Sequence, residues 1–253
     1  MQEIEVVSTL DGSVEPSLFS LPETDGKIPL VVGLHTWSAD RFNQVDRMLP
    51  HTEKLGWALL LPEFRGANLV SNPRAREACG SRLAKQDIID AVEHVCARFD
   101  ALDREQIYLV GGSGGGHMAL MMAAYRPKLW RQVSSWCPIT DLSAWHGENQ
   151  HYTPHIVACC GGAPEDAAED YQARSPITHL EDLANAYVRI HHGKWDPSVP
   201  FTHSLKLYNE LYARFPDANV YLSIFDGGHD FYLERAFQDF QRTCEAGAKE
   251  LTA

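Results

Sequence analysis

The feature that most constrains the fold of this 253-residue chain is a cluster of glycines around one serine. Residues 111–115 read G-G-S-G-G, follow the apolar run Ile107–Val110 and precede a helix-forming stretch. A G-x-S-x-G where a strand turns sharply into a helix is typical of a nucleophile elbow. A serine with positive φ needs neighbours without Cβ atoms, and the helix must pack close to the strand. Ser113 is therefore the candidate nucleophile.

The other interpretation of this segment is a glycine-rich turn or phosphate loop in a doubly wound sheet. The chain has no G-x-x-x-x-G-K-[ST] motif at this point. Because the downstream sequence also supplies the partners that a nucleophilic serine needs, the elbow is the favoured interpretation.

Short apolar runs alternate with helical stretches along almost the whole chain. Runs of four to six residues rich in Val, Ile and Leu are typical of parallel strands buried on both faces by helices. The sequence therefore predicts an α/β fold in a single domain spanning residues 1–253, with a mostly parallel sheet, helices on both faces and an antiparallel hairpin near the N-terminus. The predicted strands lie at residues 30–34, 58–61, 107–110, 133–136, 187–190 and 220–225, and the hairpin at residues 4–10 and 18–21.

One region interrupts this alternation. Residues 141–183 are rich in aromatic, His, Gly and acidic residues and contain no clear strand. Insertions of this length commonly lie over the carboxyl edge of the sheet. We expect a small lid that shapes the substrate pocket; the alternative is a solvated surface excursion.

A nucleophilic serine needs a base to remove its proton and an acid to orient that base. Asp196 follows the predicted strand that ends at Ile190, and His229 follows the one that ends at Phe225. The order Ser113, Asp196, His229 is the order found in the α/β-hydrolase fold. All three residues are expected at the edge where open α/β sheets hold their sites.

Several other residues compete for these roles. His117 lies in the first turn of the elbow helix and is interpreted as packing beneath it, because the triad base reaches the serine from another loop. Asp226 and Asp230 flank His229 too closely to orient its ring easily. Asp141 is a conceivable substitute, but Asp196 is the first choice.

The oxyanion that develops during acyl transfer needs backbone N–H donors. Gly114, next to the nucleophile, supplies one. The second should come from the loop after Leu34, where Trp37 is the first candidate and Thr36 the next. Both stand where glycines are usual in this loop. Because Trp37 is large, we expect it to wall the acyl pocket and to favour small acyl groups.

Aromatic side chains provide candidates for substrate binding. Trp145, Tyr152 and Trp195 could stack on sugars or acyl groups, since an aromatic face combines with a polar edge. Trp37 is the fourth substrate-binding candidate, as the wall of the acyl pocket. The alternative is that these rings close a buried cluster beneath the insertion. The two interpretations are equally compatible with the sequence.

Composition excludes several classes of function. The net charge of −12 disfavours binding to nucleic acid or anionic membranes. The N-terminus has no signal-like segment and no apolar run is long enough to span a bilayer, so a cytoplasmic location is expected. The six cysteines form no C-x-x-C pair and are read as free thiols. We expect no cofactor and no metal, because His151 and His155 are separated by a proline and no H-E-x-x-H occurs.

Taken together, these motifs resemble the catalytic domain of the prolyl oligopeptidase family of serine hydrolases. The similarity runs from about Pro29 to near the C-terminus. It implies the α/β-hydrolase fold, the triad Ser113, Asp196 and His229, and hydrolysis of an acyl bond. The motifs that carry the resemblance are residues 64–66, 85–87, 111–116, 175–177, 192–196, 199–200 and 227–229.

The chain also differs from the family peptidases in its N-terminal region. Family peptidases carry a long N-terminal propeller, whereas only about 28 residues precede the first core strand here. The sequence therefore favours a serine esterase acting on small ester substrates with short acyl groups, including carbohydrate-linked ones. The alternative is an oligopeptidase or aminopeptidase, for which Glu148, Glu165 and Asp166 could bind a peptide amine. A homo-oligomer is compatible with the aromatic-rich insertion, but no pattern decides it.

Overall fold

Eight strands form one mixed sheet in the order β1-β2-β4-β3-β5-β6-β7-β8. The computed structural model describes the backbone of residues 1–250 and the side chains of residues 1–246. From β4 across to β8 all neighbours are parallel, whereas β1 and β2 form an antiparallel hairpin that joins the sheet through β4. The strands are β1 (Gln2–Val7), β2 (Val14–Ser20), β3 (Ile28–Leu34), β4 (Ala58–Pro62), β5 (Leu102–Gly112), β6 (Gln132–Trp136), β7 (Val188–Gly193) and β8 (Val220–Phe225).

Helices connect the parallel strands and cover both faces of the sheet. Their ends follow ordinary capping rules: the Ser81 hydroxyl accepts a hydrogen bond from the N–H of Ala84, and Gly56 ends the first helix in the left-handed conformation. No helix within residues 1–250 has the length and hydrophobicity needed to cross a membrane. The helices are α1 (Val45–Leu55), α2 (Arg82–Arg98), α3 (Gly114–Tyr125), α4 (Leu142–Glu148), α5 (Thr153–Cys160), α6 (Ala168–Ala173), α7 (Leu180–Leu183), α8 (Thr202–Arg214) and α9 (Leu233–Glu250).

Alternation along the central strands separates two hydrophobic layers. In β3, Leu30 and Val32 face the layer that includes α2, α3 and α8, whereas Val31 faces the layer that includes α1 and α9. All seven residues of β3 are buried. Burial on both faces explains why these strands read as continuous apolar runs, and the predicted α/β fold with a mostly parallel sheet is confirmed.

Residues 141–183, here called the cap segment, contain four short helices and, as expected, no strand. They contribute to a third hydrophobic cluster, which joins Trp145, Ile156 and Tyr171 of the cap to Trp37 and Val199 of the main domain. This buried cluster distinguishes the cap from a solvated excursion. Its role as a lid stays a prediction.

A buried arginine attaches the N-terminal hairpin to the main domain. The side chain of Arg65 is fully buried and forms ion pairs with Asp11, Glu77 and Asp87, and it also approaches Glu15 at 3.5 Å. A charged side chain without solvent is tolerated only with such partners. Arg65 therefore fixes the loop after β4 against α2 and the turn between β1 and β2.

We expect Arg65→Met to lower the free energy of unfolding by about 3–5 kcal/mol, because it leaves buried carboxylates without their partner. Urea denaturation followed by circular dichroism measures the change. The matched control is Arg104→Met, which removes an exposed pair with Glu93 and should cost less than about 1 kcal/mol. Equal effects of the two substitutions would contradict this role of Arg65.

A second buried polar side chain lies on β7. His191 is fully buried and stacks on Trp136, with ring centroids 4.1 Å apart. Neither ring nitrogen has a hydrogen-bond partner among the side chains that the structure describes. Burial lowers the pKa of His191 to about 3.

This pKa predicts a dependence of stability on pH. Below about pH 6.5 an unfolded imidazole takes up a proton, whereas the folded one stays neutral down to about pH 3, so His191 lowers stability as the pH falls through this window. His191→Phe removes the effect. Between pH 6 and 4, the variant's free energy of unfolding should fall less steeply than that of the wild type, by about 1.4 kcal/mol per pH unit. If urea denaturation shows that the free energies of unfolding of the wild type and of His191→Phe change with pH in parallel, this role of His191 is refuted.

Candidate active site

Ser113 occupies the sharp turn between β5 and α3. Its backbone has φ 55° and ψ −122°, a conformation that costs energy for any residue with a Cβ atom. The N–H of Ser113 donates to the carbonyl of Trp136 at 2.8 Å, which ties the turn to the end of β6. The side chain is partly exposed at the carboxyl edge of the sheet, as a nucleophile elbow requires.

The two predicted oxyanion donors, Gly114 and Trp37, lie side by side. A Cβ atom on Gly114 would stand 2.5 Å from the backbone nitrogen of Trp37, so only glycine allows this approach. The carbonyl of Trp37 accepts a hydrogen bond from the N–H of Asn68 at 2.8 Å, which fixes the loop. The N–H of Thr36 donates to Asn43 Oδ1 at 3.3 Å. Trp37 is therefore the better placed second donor, and Thr36 is engaged elsewhere.

The structure brings the predicted base and acid together. His229 Nδ1 lies 2.6 Å from Asp196 Oδ2, across the loops that follow β8 and β7. The other carboxylate oxygen, Oδ1, accepts hydrogen bonds from the N–H groups of Ser198 and Val199. Asp196 is thereby held in one orientation, and with it the ring of His229.

Asp196 stays ionised although its side chain is fully buried. Burial raises its pKa, but hydrogen bonds from His192, His229 and the Val199 N–H outweigh this effect, so the pKa lies well below the ordinary value. A permanently ionised acid can stabilise the imidazolium that forms on His229 during proton transfer.

His192 is a supporting residue that sequence reasoning missed. Its Nε2 lies 2.9 Å from the carbonyl of Val199 and 3.4 Å from Asp196 Oδ2, and its Nδ1 lies 2.7 Å from the hydroxyl of Ser204. The fully buried ring packs beneath the acid. The available signals were its position at the end of β7, four residues before Asp196, and its place in the motif at residues 192–196.

The competing residues have other partners. His117 is fully buried with Nε2 2.6 Å from the carbonyl of Arg174, and burial lowers its pKa to about 4. Asp226 accepts from the Trp195 indole, and Asp230 accepts from the N–H of Gly228. Asp141 caps α4. These contacts favour His229 and Asp196 over the alternatives.

Phe231 connects the base to the elbow. Its ring contacts that of His229, with centroids 5.2 Å apart, and lies where a Cβ on Gly112 would stand. Within residues 1–246 no hydrogen bond joins the Ser113 hydroxyl to His229. Catalytic hydrogen bonds are often long before substrate binds, so the arrangement is compatible with a Ser-His-Asp triad.

Two of the four predicted substrate-binding aromatic residues, Trp145 of the stacking platform and Trp37 as the wall of the acyl pocket, are buried in the structure. Trp37 and Trp145 are 1% and 0% exposed, and their rings meet at a centroid distance of 4.9 Å. Tyr152 stacks on Trp145 at 4.7 Å and covers one of its faces. These rings form the buried cluster that the sequence allowed as the alternative, so Trp37 and Trp145 offer no free face to a substrate.

Trp195 is different. It is 64% exposed, and its indole nitrogen donates to Asp226 Oδ1 at 2.9 Å. It lies next to Asp196 in the chain and remains a candidate for substrate contact, as does the partly buried Tyr152.

A cysteine that sequence reasoning did not connect with the site lies beside the triad. Cys137 follows β6 directly, is fully buried and has φ 45°. Its Sγ lies 3.5 Å from the carbonyl of Asp230 and 3.9 Å from that of Gly228, the two neighbours of His229. Burial raises the pKa of this thiol well above the ordinary value. Its position at the end of a parallel strand was the available signal.

Comparison with known proteins agrees with this geometry. The sequence model of the prolyl oligopeptidase family matches residues 55–245. The chain therefore belongs to the prolyl oligopeptidase family. The predicted family resemblance is confirmed.

Two curated relatives match parts of the chain. It is 28% identical over 108 residues to the uncharacterized peptidase YtmA of Bacillus subtilis (strain 168), covering 43% of this chain and 42% of that protein. It is 24% identical over 205 residues to the human acylamino-acid-releasing enzyme, covering 76% of this chain and 27% of that protein. The chain thus spans less than half the length of these relatives.

Solved structures show the same fold. An acylaminoacyl peptidase in complex with Z-Gly-Gly-Phe-chloromethyl ketone superposes with a TM-score of 0.76 at 20% identity, covering 96% of this chain and 40% of that chain. The acylaminoacyl peptidase of Pyrococcus horikoshii (orthorhombic crystal form) gives 0.73 at 21% identity, covering 90% of this chain and 37% of that chain. The predicted α/β-hydrolase fold is confirmed.

Labelling with a fluorophosphonate tests the triad without knowledge of the substrate. We expect Ser113→Ala to abolish labelling and Asp196→Asn to slow it by about 10³-fold or more, because the wrong tautomer of His229 then faces the serine. The rate is followed by gel fluorescence.

The matched control is Asp226→Asn, which changes a carboxylate near His229 that pairs with Trp195 instead. Its labelling rate should be within about twofold of the wild-type rate if Asp196 alone orients the base. Normal labelling of Asp196→Asn, or strong impairment by Asp226→Asn, would disprove the assignment of the acid.

Proposed function

We propose that this chain is a serine peptidase that cleaves amide bonds of short peptides or aminoacyl amides through an acyl-enzyme. The observation that carries the proposal is the family match over residues 55–245, together with relatives named as a peptidase and as an acylamino-acid-releasing enzyme. Catalysis belongs to the site and not to the fold, so the proposal also depends on the arrangement of Ser113, Asp196 and His229.

Each residue has one chemical role in the proposed reaction. His229 accepts the proton of Ser113 as the hydroxyl attacks the carbonyl, while Asp196 fixes the tautomer and balances the positive charge. The N–H groups of Gly114 and Trp37 bind the oxyanion. His229 then returns the proton to the leaving amine, and water hydrolyses the acyl-enzyme by the same steps in reverse.

The sequence favoured esters over peptides, and the comparisons support its alternative better. Both reactions use the same nucleophile, base and oxyanion donors. They differ in the leaving group, since an amine must be protonated by His229 before it departs whereas an activated alcohol need not be. Ester cleavage is therefore the competing function, and the assay below separates the two.

Recognition of a peptide amine by Glu148, Glu165 or Asp166 stays a prediction. Glu148 Oε2 lies 2.8 Å from His203 Nε2, so this carboxylate already has a partner. Glu165 and Asp166 are exposed on the cap segment. We propose that the partly exposed Tyr152 and the exposed Trp195, instead of Trp37 and Trp145, contact the substrate.

The decisive measurement is hydrolysis of aminoacyl, N-acylaminoacyl and X-Pro anilides beside nitrophenyl esters from acetyl to octanoyl. We expect amide cleavage by the wild type that is lost in Ser113→Ala. Activated esters should also be cleaved, because their leaving groups make fewer demands on the base.

Turnover confined to short esters, with no amide cleaved above the Ser113→Ala background, would replace the peptidase by an esterase. A separate control, Trp195→Ala, should raise KM with a smaller effect on kcat if this ring contributes uniform binding. An unchanged KM would remove Trp195 from the substrate site.

A further inference from the structure

The thiol of Cys137 has no role in the reaction described above, yet it lies at the meeting point of two loops of the site. Its Sγ contacts the carbonyls on both sides of His229. Its backbone N–H donates to the carbonyl of His191 at 2.7 Å, which fixes the cysteine at the end of β6. The side chain therefore cannot move far from the triad.

Three different donor atoms converge at this point. Cys137 Sγ, a carboxylate oxygen of Asp196 and a ring nitrogen of His229 all lie within 4.8 Å of one another. Cys137 and Asp196 are buried, whereas the side chain of His229 is 23% exposed. His229 is therefore the member of the cluster that is in contact with solvent.

We propose that Cys137, Asp196 and His229 form a binding site for Zn²⁺ or a similar thiophilic divalent cation, and that occupancy of this site switches off the triad. Thiolate, imidazole and carboxylate are the usual protein ligands of zinc. Mg²⁺ and Ca²⁺ prefer oxygen ligands and do not suit a sulfur and a nitrogen. A water molecule at the exposed side would complete four-coordination.

Binding requires a small rearrangement. With Zn–S near 2.3 Å and Zn–N near 2.0–2.1 Å, tetrahedral ligand atoms lie about 3.3–3.7 Å apart. Asp196 Oδ2 and His229 Nδ1 are 2.6 Å apart, so they must separate by about 1 Å. The cation thus replaces the Asp-His hydrogen bond and cannot coexist with it.

The proton balance explains the inhibition. The thiol of Cys137 loses its proton to solvent when the Zn–S bond forms. Coordination at Nδ1 of His229 needs a free lone pair, so the one proton of the neutral ring moves to Nε2. Nε2 then carries the proton and cannot accept another from Ser113. This inhibition depends on the proposed function, whereas cation binding does not.

The first experiment measures hydrolysis, or fluorophosphonate labelling, over a range of Zn²⁺ concentrations. We expect inhibition that EDTA reverses and that Mg²⁺ does not cause. Cys137→Ser should raise the half-inhibitory concentration by about tenfold or more, with each variant compared with its own rate without metal. The control Cys244→Ser, which removes the partly exposed cysteine on α9, should not change it. Equal Zn²⁺ sensitivity of Cys137→Ser and the wild type would overturn the proposal.

The second experiment needs no activity. Co²⁺ is added to Ser113→Ala, and the near-ultraviolet absorption of a thiolate–cobalt bond is recorded. The band should be present in Ser113→Ala and absent in the double variant that carries Ser113→Ala and Cys137→Ser. A missing band in Ser113→Ala would refute the site even if Zn²⁺ inhibits. If the band appears but the wild type cleaves no substrate and does not react with the fluorophosphonate, the cation site is supported and the proposed function is refuted.

Discussion

The close approach of backbone around Ser113 is the constraint on which the rest of the site depends. A residue with φ 55° between a strand and a helix requires small neighbours, and Gly114 also admits the backbone of Trp37. Because the strands from β4 to β8 are parallel, their carboxyl ends meet at one edge. The loops that carry Trp37, Asp196 and His229 therefore reach the serine from separate strands.

Features with a local signature could be predicted from the sequence. The apolar runs gave the strands, since burial on both faces leaves few polar positions. Ser113, Asp196 and His229 each follow such a run in a glycine- or proline-containing loop. Cys137 was missed as part of the site because its partners, Gly228 and Asp230, come from a loop distant in the chain. His192 was missed although its partners lie within twelve residues, because a histidine at a strand end has many possible roles. No spacing in the sequence indicates such contacts.

The aromatic residues show where composition misleads. Trp37, Trp145 and Tyr152 have the size and polarity suited to an open binding surface. The sequence does not show which faces of these aromatic rings are covered by other side chains. In the structure, α4 and α5 bring Trp145 and Tyr152 together, and the indole N–H of Trp145 donates to the carbonyl of Ser198 at 2.9 Å. The buried cluster thereby joins the cap segment to Trp37 in the loop after β3 and to Val199 in the loop after β7.

The rigidity of the acid is a property of its loop as much as of its side chain. Each carboxylate oxygen of Asp196 has two lone pairs: Oδ1 accepts two backbone N–H groups, and Oδ2 faces His229 and His192. Because Oδ1 accepts two backbone N–H groups and Oδ2 pairs with His229, rotation of the carboxylate would break several hydrogen bonds at once. Pro197 and Pro200 restrict φ in the turn that supplies the two N–H donors. The orientation of the His229 ring is therefore set by backbone that never contacts the substrate, because that backbone determines where the Asp196 oxygen lies.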